Sequence, residues 1–253
     1  MKKTVLAVVA ATLMSCGVFA QELKTDTDKA FYSLGFMMGR SVRTFALTPS
    51  EYKTVVSGFH DAATGKKEKA DPSKYMNELE KLNRDRIMAA SKIEKSKSAA
   101  YLAKVKAEKG AVELSSGVIY VALAEGTGAS PSEHDVATVK YKGTLRDGTV
   151  FEDITKGDEP AKIPLDRVVP CWTIGVTKIK KGGKAKLACP SDTAYGDMGM
   201  PPDIPGGAAL TFEIELMDFS DAKTAYPATP DVDDGQGSSE ESAAEPEQAA
   251  PSK

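Results

Sequence analysis

The feature that most constrains the fold is a stretch of strand-like segments around the chain's single tryptophan, Trp172. Residues 136–145 alternate loosely between apolar and polar side chains, and the Asp-Gly dipeptide at 147–148 is typical of a hairpin turn. Alternation returns over residues 210–219. Between these strands, a short segment that opens at Pro170 carries Trp172 in its first turn. The pattern predicts aromatic-rich strands around one short helix, with an apolar hollow between them.

Four motifs follow one another along this stretch, namely V-A-T-V-K-Y-K-G-T-L-R-D-G-T-V-F-E-D, P-A-K-I-P-L-D-R-V-V-P-C-W, A-C-P-S-D-T-A-Y-G and D-I-P-G-G-A-A-L-T-F-E-I-E-L. In their order and residue types they resemble the FKBP-type peptidyl-prolyl cis-trans isomerases over roughly residues 115–219. The resemblance implies an α+β fold whose C-terminal domain, residues 111–220, is an antiparallel half-barrel sheet wrapped on a short helix. It also implies that the chain is an enzyme, a peptidyl-prolyl cis-trans isomerase (rotamase).

The resemblance assigns roles residue by residue. The residues implied to take part in catalysis are Tyr141, Phe151, Glu152, Asp153 and Tyr195. Those implied to bind the substrate are Ile163, Val168, Val169, Trp172, Ile204 and Phe212. In this family pattern Trp172 is the floor beneath the prolyl ring, the amide of Val169 binds a substrate carbonyl, and the hydroxyl of Tyr195 donates a hydrogen bond. Ile204 belongs to a flap over the pocket.

The chemistry of this reaction fits such a pocket. Amide resonance sets a barrier of roughly 18–20 kcal/mol to rotation about the X-Pro bond. Desolvation weakens the charge-separated resonance form, and hydrogen bonds placed for the twisted amide favour that geometry. No nucleophile, metal or cofactor is needed, so we expect none.

Three departures from the family pattern bear on activity, one of them in the flap, which contains Met198, Met200 and the pair Pro201-Pro202. The other two are in the pocket. The family usually has aspartate directly after the position of Phe151, whereas here Glu152 stands there and Asp153 follows. Either carboxylate could supply the hydrogen bond. Ile163 stands where an aromatic residue is common, which predicts a wider pocket. We expect this change to weaken the binding of a macrolide more than it weakens catalysis.

The N-terminus, residues 1–20, has the pattern of a secretory signal peptide. Lys2 and Lys3 precede a short apolar run, and residues 18–20 form a small-x-small cleavage site. We therefore expect an exported protein, soluble in the periplasm. The alternative is an outer-membrane lipoprotein, because residues 13–16 also resemble a bacterial lipobox that would lipidate Cys16 and attach the chain to a membrane.

Export also bears on the cysteines, of which the chain has 3. Soluble export leaves Cys171 and Cys189, and an even pair in an oxidising compartment is a disulfide candidate. The alternative is two buried free thiols that behave as small hydrophobic residues.

The first part of the mature chain predicts helices that cannot fold alone. Apolar residues at helical spacing occur near residues 31–42 and again near 52–59, in helices too short to enclose a core. A third helix is predicted from Asp71 to Gly110. Y-S-L-G-F-M-M-G at 32–39, followed by this long helix, resembles the Mip-like branch of the FKBP family. We expect an all-α homodimerisation domain at 21–70 and a connecting helix at 71–110.

Residues 221–253 form an acidic tail rich in Pro, Ser and Ala, which predicts disorder. A net charge of -3 on an exported chain gives no reason to expect nucleic acid as a partner. The expected partners are unfolded or proline-containing exported polypeptides, whose folding the isomerase would accelerate with chaperone activity. The alternatives are a non-catalytic periplasmic chaperone that binds clients and a surface-exposed virulence factor.

Overall fold

The computed structural model describes residues 22–157 and 159–221, which form two compact units. The first contains the helices up to Tyr101 together with Tyr195–Ala209, and the second contains Leu102–Ala194 and the chain from Leu210 onward. The predicted signal peptide with Cys16 and the acidic tail beyond residue 221 lie outside the described residues. None of the helices in the described ranges is long and apolar enough to cross a membrane.

The first unit begins with two capped helices, α1 (Asp26–Ser41) and α2 (Pro49–Ala63). Each opens with a capping box, in which the hydroxyl of a threonine and a carboxylate three residues later satisfy each other's backbone N–H groups. No residue of α1 is buried, and only Asp61 is buried in α2. The capping groups therefore define where these helices begin, while their apolar side chains remain unburied within one chain.

Helix α3 (Met76–Lys106) is 31 residues long and ends in the second unit. The sequence predicts its start at Asp71, but a 3₁₀ turn over Pro72–Tyr75 precedes the α-helix. The Asp71 carboxylate accepts a hydrogen bond from the N–H of Ser73 at 3.0 Å, which holds this tighter turn. The helix is therefore shorter than its sequence pattern predicts.

The second unit is built on one antiparallel sheet. Its strands are β1 (Ala111–Glu113), β2 (Ile119–Ala124), β3 (Asp135–Leu145), β4 (Val150–Asp153), β5 (Ala161–Pro164), β6 (Lys184–Cys189) and β7 (Leu210–Asp221). The strand order is β1-β2-β6-β7-β3-β4, and β5 also pairs with β3. Helices followed by an antiparallel sheet confirm the predicted α+β class.

A short helix, α4 (Pro170–Val176), packs on this sheet. Its Gly175 lies so close to β6 that an added Cβ would come within 2.3 Å of Leu187 Cδ1. The hydroxyl of Thr173 donates to the carbonyl of Leu165 at 2.7 Å and holds the helix to the loop before it. This close packing places the first turn of α4, with Trp172, over the buried face of the sheet.

Candidate functional site

The site is centred on Trp172, in the first turn of α4. Pro170 takes the first helical position, where its missing N–H costs nothing, and Val169 is the N-cap. The N–H of Trp172 donates to the carbonyl of Val169 at 2.9 Å. The indole is 4% exposed. The N-cap and the proline at the first helical position therefore determine where α4 begins. This start places Trp172 next to the two half-buried valines, Val168 and Val169.

Three aromatic rings form a cluster with this tryptophan. The ring centroids of Tyr141 and Trp172 lie 4.8 Å apart, and those of Trp172 and Phe212 lie 5.4 Å apart. Phe151 completes the cluster at 5.7 Å from Phe212. The interplanar angles in these pairs, 80–86°, correspond to the edge-to-face arrangement that aromatic quadrupoles favour. The structure thus brings together the four aromatic residues that the sequence predicts in the second unit.

The register of the sheet explains this convergence. Phe212 of β7 lies opposite Gly143 of β3, and Tyr141 is two residues from Gly143 on the same face. Gly143 has no side chain, and an added Cβ would lie 2.5 Å from the ring of Phe151. Gly143 is a position beside the aromatic cluster that the sequence prediction missed. An isolated glycine inside a strand is the signal that indicates such a close approach.

A β-bulge in β4 directs the residues after Phe151. Thr144 pairs with Val150 and Gly143 pairs with Glu152, so Phe151 and Glu152 together oppose one residue of β3. Glu152 is half-buried and lies opposite Gly143, on the strand face that also carries Tyr141. Two consecutive residues of β4, Phe151 and Glu152, therefore reach the aromatic side of the sheet, whereas regular alternation would place only one of them there.

Asp153 has a different environment. It pairs with Lys142 in the register, one residue beyond the bulge. Its carboxylate accepts hydrogen bonds from the N–H of Thr155 at 3.1 Å and from the Thr155 hydroxyl at 2.5 Å. The hydroxyl hydrogen bond is the main reason why the pKa of Asp153 lies below its usual value. The Asp153 carboxylate is thus engaged in the turn that follows β4.

The backbone N–H of Val169 is one polar group at this site. Within residues 22–157 and 159–221, no group accepts a hydrogen bond from it. Ile163 lies on β5 opposite the buried Ala137, on the same strand face as Tyr141. An apolar surface and an available backbone donor suit a ligand that has both an apolar ring and a carbonyl oxygen.

Two predicted site residues belong to the first unit. Tyr195 and Ile204 lie in the segment 195–209, which clusters with the helices. Within that segment, Met200 and Ile204 exchange backbone hydrogen bonds of 2.9 and 3.0 Å, and the Ile204 side chain is 1% exposed. The segment around Ile204, predicted as a flap, thus has its own backbone hydrogen bonds, and its role at the substrate stays a prediction.

A disulfide joins Cys171 of α4 to Cys189 at the end of β6, with their Cα atoms 5.7 Å apart. Both residues are fully buried. The predicted disulfide is confirmed, and it attaches the first turn of α4 to the sheet. In the part of the chain that the structure describes, no group of three or more His, Cys, Asp or Glu residues could hold a metal ion.

Comparison with known proteins places these features in one family. Residues 128–217 match the model of the FKBP-type peptidyl-prolyl cis-trans isomerase, and residues 27–121 match that of the domain amino terminal to it. The chain is 34% identical over 223 residues to the FKBP-type peptidyl-prolyl cis-trans isomerase FkpA of Escherichia coli (strain K12), covering 83% of this chain and 82% of that protein.

Two further likenesses agree. The chain is 31% identical to the outer membrane protein MIP of Legionella longbeachae, over 87% of this chain and 98% of that protein. The crystal structure of FkpA from Escherichia coli superposes with a TM-score of 0.58 at 31% identity, covering 79% of this chain and all of that one. The chain therefore belongs to the family of FKBP-type peptidyl-prolyl cis-trans isomerases, and it is a prolyl isomerase.

Proposed function

We propose that this isomerase acts on X-Pro bonds in unfolded exported polypeptides and binds the proline in the aromatic hollow around Trp172. The observation that carries this proposal is the cluster of edge-to-face rings beside the available N–H of Val169. The pyrrolidine ring is apolar and fits against aromatic faces, while the carbonyl oxygen that precedes it needs a hydrogen-bond donor.

In the proposed mechanism, the prolyl ring lies on the indole of Trp172, and Tyr141, Phe151 and Phe212 form the walls. Burial removes water from the amide and disfavours its charge-separated resonance form, which supplies most of the rotational barrier of roughly 18–20 kcal/mol. The N–H of Val169 donates to a substrate carbonyl. These contacts stabilise the twisted amide more than either planar isomer, so they accelerate rotation in both directions.

The remaining site residues complete this assignment. Tyr195 donates its hydroxyl to the substrate, and Ile204 covers it from the flap. Glu152 takes the role of the family's aspartate, because the bulge places it on the face that carries Tyr141, whereas Asp153 is engaged with Thr155. Val168 and Ile163 line the pocket, and the absence of an aromatic ring at Ile163 weakens macrolide binding.

We further propose that α1 and α2 form a homodimer. Their exposed large apolar side chains are Phe31, Tyr32, Leu34, Phe36, Met37, Met38, Tyr52, Val55, Val56 and Phe59. Gly35 and Gly39 of α1 have nothing within 4 Å of an added Cβ, so they leave room for a second backbone. An apolar cleft of about 510 Å³ lies between Phe45, Val55 and Leu82. A surface this apolar is typical of a protein interface, and a second copy of the chain would cover it.

The domain order follows the sequence prediction. We propose a signal peptide at 1–20, a dimerisation domain at 21–70, a connecting helix at 71–110, a catalytic domain at 111–220 and an acidic tail at 221–253. Export is supported by the N-terminal pattern and by the similarity to a protein named as an outer membrane protein. We propose a soluble periplasmic protein, and lipidation of Cys16 would instead place it on the outer membrane.

A second candidate function is chaperone activity, which the proposed dimer favours because it carries two prolyl pockets. In this proposal the dimer binds unfolded clients and delivers their prolines to the two pockets. Binding of the client at the second site would be strengthened by a high effective concentration, because a client held at one site reaches the other without diffusing away.

The test is isomerisation of a short proline-containing peptide by the mature chain and its Tyr195→Phe variant, with Tyr75→Phe as the exposed control. We expect Tyr195→Phe to be roughly tenfold slower, because one hydrogen bond to the twisted amide is lost. Tyr75→Phe should keep the wild-type rate. Equal rates for all three proteins would exclude the role of Tyr195. Suppression of aggregation in the same variants separates chaperone activity from catalysis.

A further inference from the structure

The segment 195–209 is attached to one face of helix α3. Ser91, Lys95 and Ser98 are spaced by four and three residues and so lie on the same side of the helix. The hydroxyl of Ser91 donates to Asp197 Oδ1 at 2.9 Å, and Lys95 Nζ lies 2.8 Å from the same oxygen. These hydrogen bonds, with that of Lys95 first, lower the pKa of Asp197, so the carboxylate stays charged.

Ser98 makes the second attachment. Its hydroxyl donates to the carbonyl of Gly207 at 3.1 Å and accepts from the N–H of Ala209 at 2.8 Å. Ser98 is 4% exposed and Ser91 is 1% exposed. A buried side chain on a mostly polar helix therefore uses both its donor and its acceptor to hold the backbone on either side of Ala208.

The backbones come close enough here to require glycine. An added Cβ at Gly207 would lie 2.5 Å from the carbonyl oxygen of Ser91, and Gly207 also has a φ of +77°. An added Cβ at Gly206 would lie 2.0 Å from the carbonyl oxygen of Asp197. The two glycines and the two serines together form one contact that few other residues could make.

We propose that Ser91 and Ser98 are positioning residues for prolyl isomerisation, which hold the segment of Tyr195 and Ile204 in its working conformation. The inference rests on the proposed roles of those two residues at the substrate. A hydroxyl that donates to a twisted amide lowers the barrier most when its backbone is already ordered. The entropy cost of ordering that backbone then does not add to the barrier of the reaction. Helix α3 thus contributes to the active conformation without contacting the substrate.

The experiment measures kcat and KM on a short proline-containing peptide, with the full mature chain and its Ser98→Ala and Ser91→Ala variants. The matched control is Ser96→Ala, an exposed serine on the same helix. We expect kcat to fall by about three- to tenfold in both variants while KM changes by less than about twofold, because order is lost and no substrate contact is removed. The control should match the wild type. Unchanged kcat in both serine variants overturns the proposal.

A double-mutant cycle tests whether Ser98 acts through Tyr195. If it does, the pair Ser98→Ala/Tyr195→Phe will be about as slow as Tyr195→Phe alone, whereas a general loss of structure makes the two effects multiply and overturns the proposal. Ser91→Ala in place of Ser98→Ala serves the same cycle if the latter variant unfolds.

Amide hydrogen exchange gives a readout that does not depend on activity. The N–H of Ala209 loses its acceptor in Ser98→Ala and should exchange faster. The N–H of Gly207, which donates to the carbonyl of Gly196, should also exchange faster as the segment becomes less ordered, and both should stay protected in Ser96→Ala. If Tyr195→Phe keeps the wild-type rate, the role proposed for Tyr195 fails. A slower Ser98→Ala with faster exchange at 207 and 209 still supports the positioning of the segment. Unchanged exchange at both amides overturns it.

Discussion

At the scale of single residues, the absence of a side chain at Gly143 matters as much as any aromatic ring. The ring of Phe151 occupies the space where a Cβ would stand, and Phe151 in turn contacts Phe212 at a centroid distance of 5.7 Å. An alanine would push the ring out of the cluster. One missing methyl group therefore determines the shape of the proposed pocket wall.

We predict that Gly143→Ala destabilises the protein by about 1–3 kcal/mol, the usual cost of overpacking, and lowers isomerase activity. Gly157→Ala is the control, since the nearest atom to its added Cβ is 3.8 Å away. Urea unfolding and a peptide isomerisation assay measure the two effects. Wild-type stability for Gly143→Ala would show that the ring moves without cost.

The two carboxylates after Phe151 allow a matched comparison. We predict that Glu152→Gln lowers kcat/KM roughly tenfold, the loss of one charge-assisted hydrogen bond, whereas Asp153→Asn changes it by less than about twofold. The reason is the bulge, which directs Glu152 to the face of Tyr141 and leaves Asp153 bonded to Thr155. If instead Asp153→Asn is the slow variant, Asp153 supplies the hydrogen bond.

At the scale of elements, the disulfide holds α4 to β6. Cys171 and Cys189 are 18 residues apart. In the chain-entropy model, a disulfide that closes a loop of this length stabilises the folded state by about 3 kcal/mol. We predict that the double variant Cys171→Ala/Cys189→Ala loses about that much unfolding free energy, measured in urea. A reductant should destabilise the wild type similarly and leave the double variant unaffected. Equal stability of both oxidised proteins would contradict the prediction.

A second element-scale contact joins α2 to α3. Arg86 donates to both carboxylate oxygens of Glu51, which also accepts from the N–H of Thr48 at 2.8 Å. The hydrogen bonds from Arg86 are the largest cause that lowers the pKa of Glu51 to about 2. A carboxylate with a lowered pKa stabilises the fold above its unfolded pKa and loses that contribution as the pH falls through the folded value.

We therefore predict that helical stability decreases between a pH of about 4.5 and a pH of about 2 through protonation of Glu51. In Glu51→Gln this part of the pH dependence should be absent, while stability at neutral pH is reduced. Thermal unfolding followed by circular dichroism at several pH values measures both. An unchanged pH profile in Glu51→Gln would assign the acid sensitivity to other groups.

The elements were predictable where the signal is local. The hairpin after residue 145, the helix that opens at Pro170 and the cysteine pair follow from turn chemistry, helix capping and redox context. The bulge that turns both Phe151 and Glu152 to the same face could not be predicted, because it depends on the pairing of β4 with β3. Ser91 and Ser98 are buried by a segment more than 100 residues away in sequence, so the helix pattern alone could not predict their contacts.

At the scale of the whole molecule, the region that matches the isomerase family does not coincide with one structural unit. The match to the isomerase family spans residues 128–217, yet Tyr195–Ala209 within it clusters with the helices. The N-terminal helices therefore contact this segment, in addition to carrying the proposed dimer interface. Removing it would also remove Ser91 and Ser98, and with them the hydrogen bonds to Asp197, Gly207 and Ala209.

Dimerisation itself is tested on α1. Phe36 is 58% exposed in a single chain, so Phe36→Glu leaves the fold of one chain intact but places a charge in the proposed interface. We predict that this variant is a monomer by light scattering at concentrations where the wild type is a dimer. Leu123→Glu, at a 47% exposed position of β2, is the control and should remain dimeric.

The same pair of variants connects dimerisation to function. The Phe36→Glu monomer should isomerise a short peptide at the wild-type rate per chain, since the pocket residues are unchanged. It should accelerate proline-limited refolding of a protein several-fold less than the wild type, because a client can no longer be held at two sites. If Phe36→Glu is still a dimer, the interface lies on another face of the chain. A monomer that still refolds proteins at the wild-type rate would show that one pocket suffices.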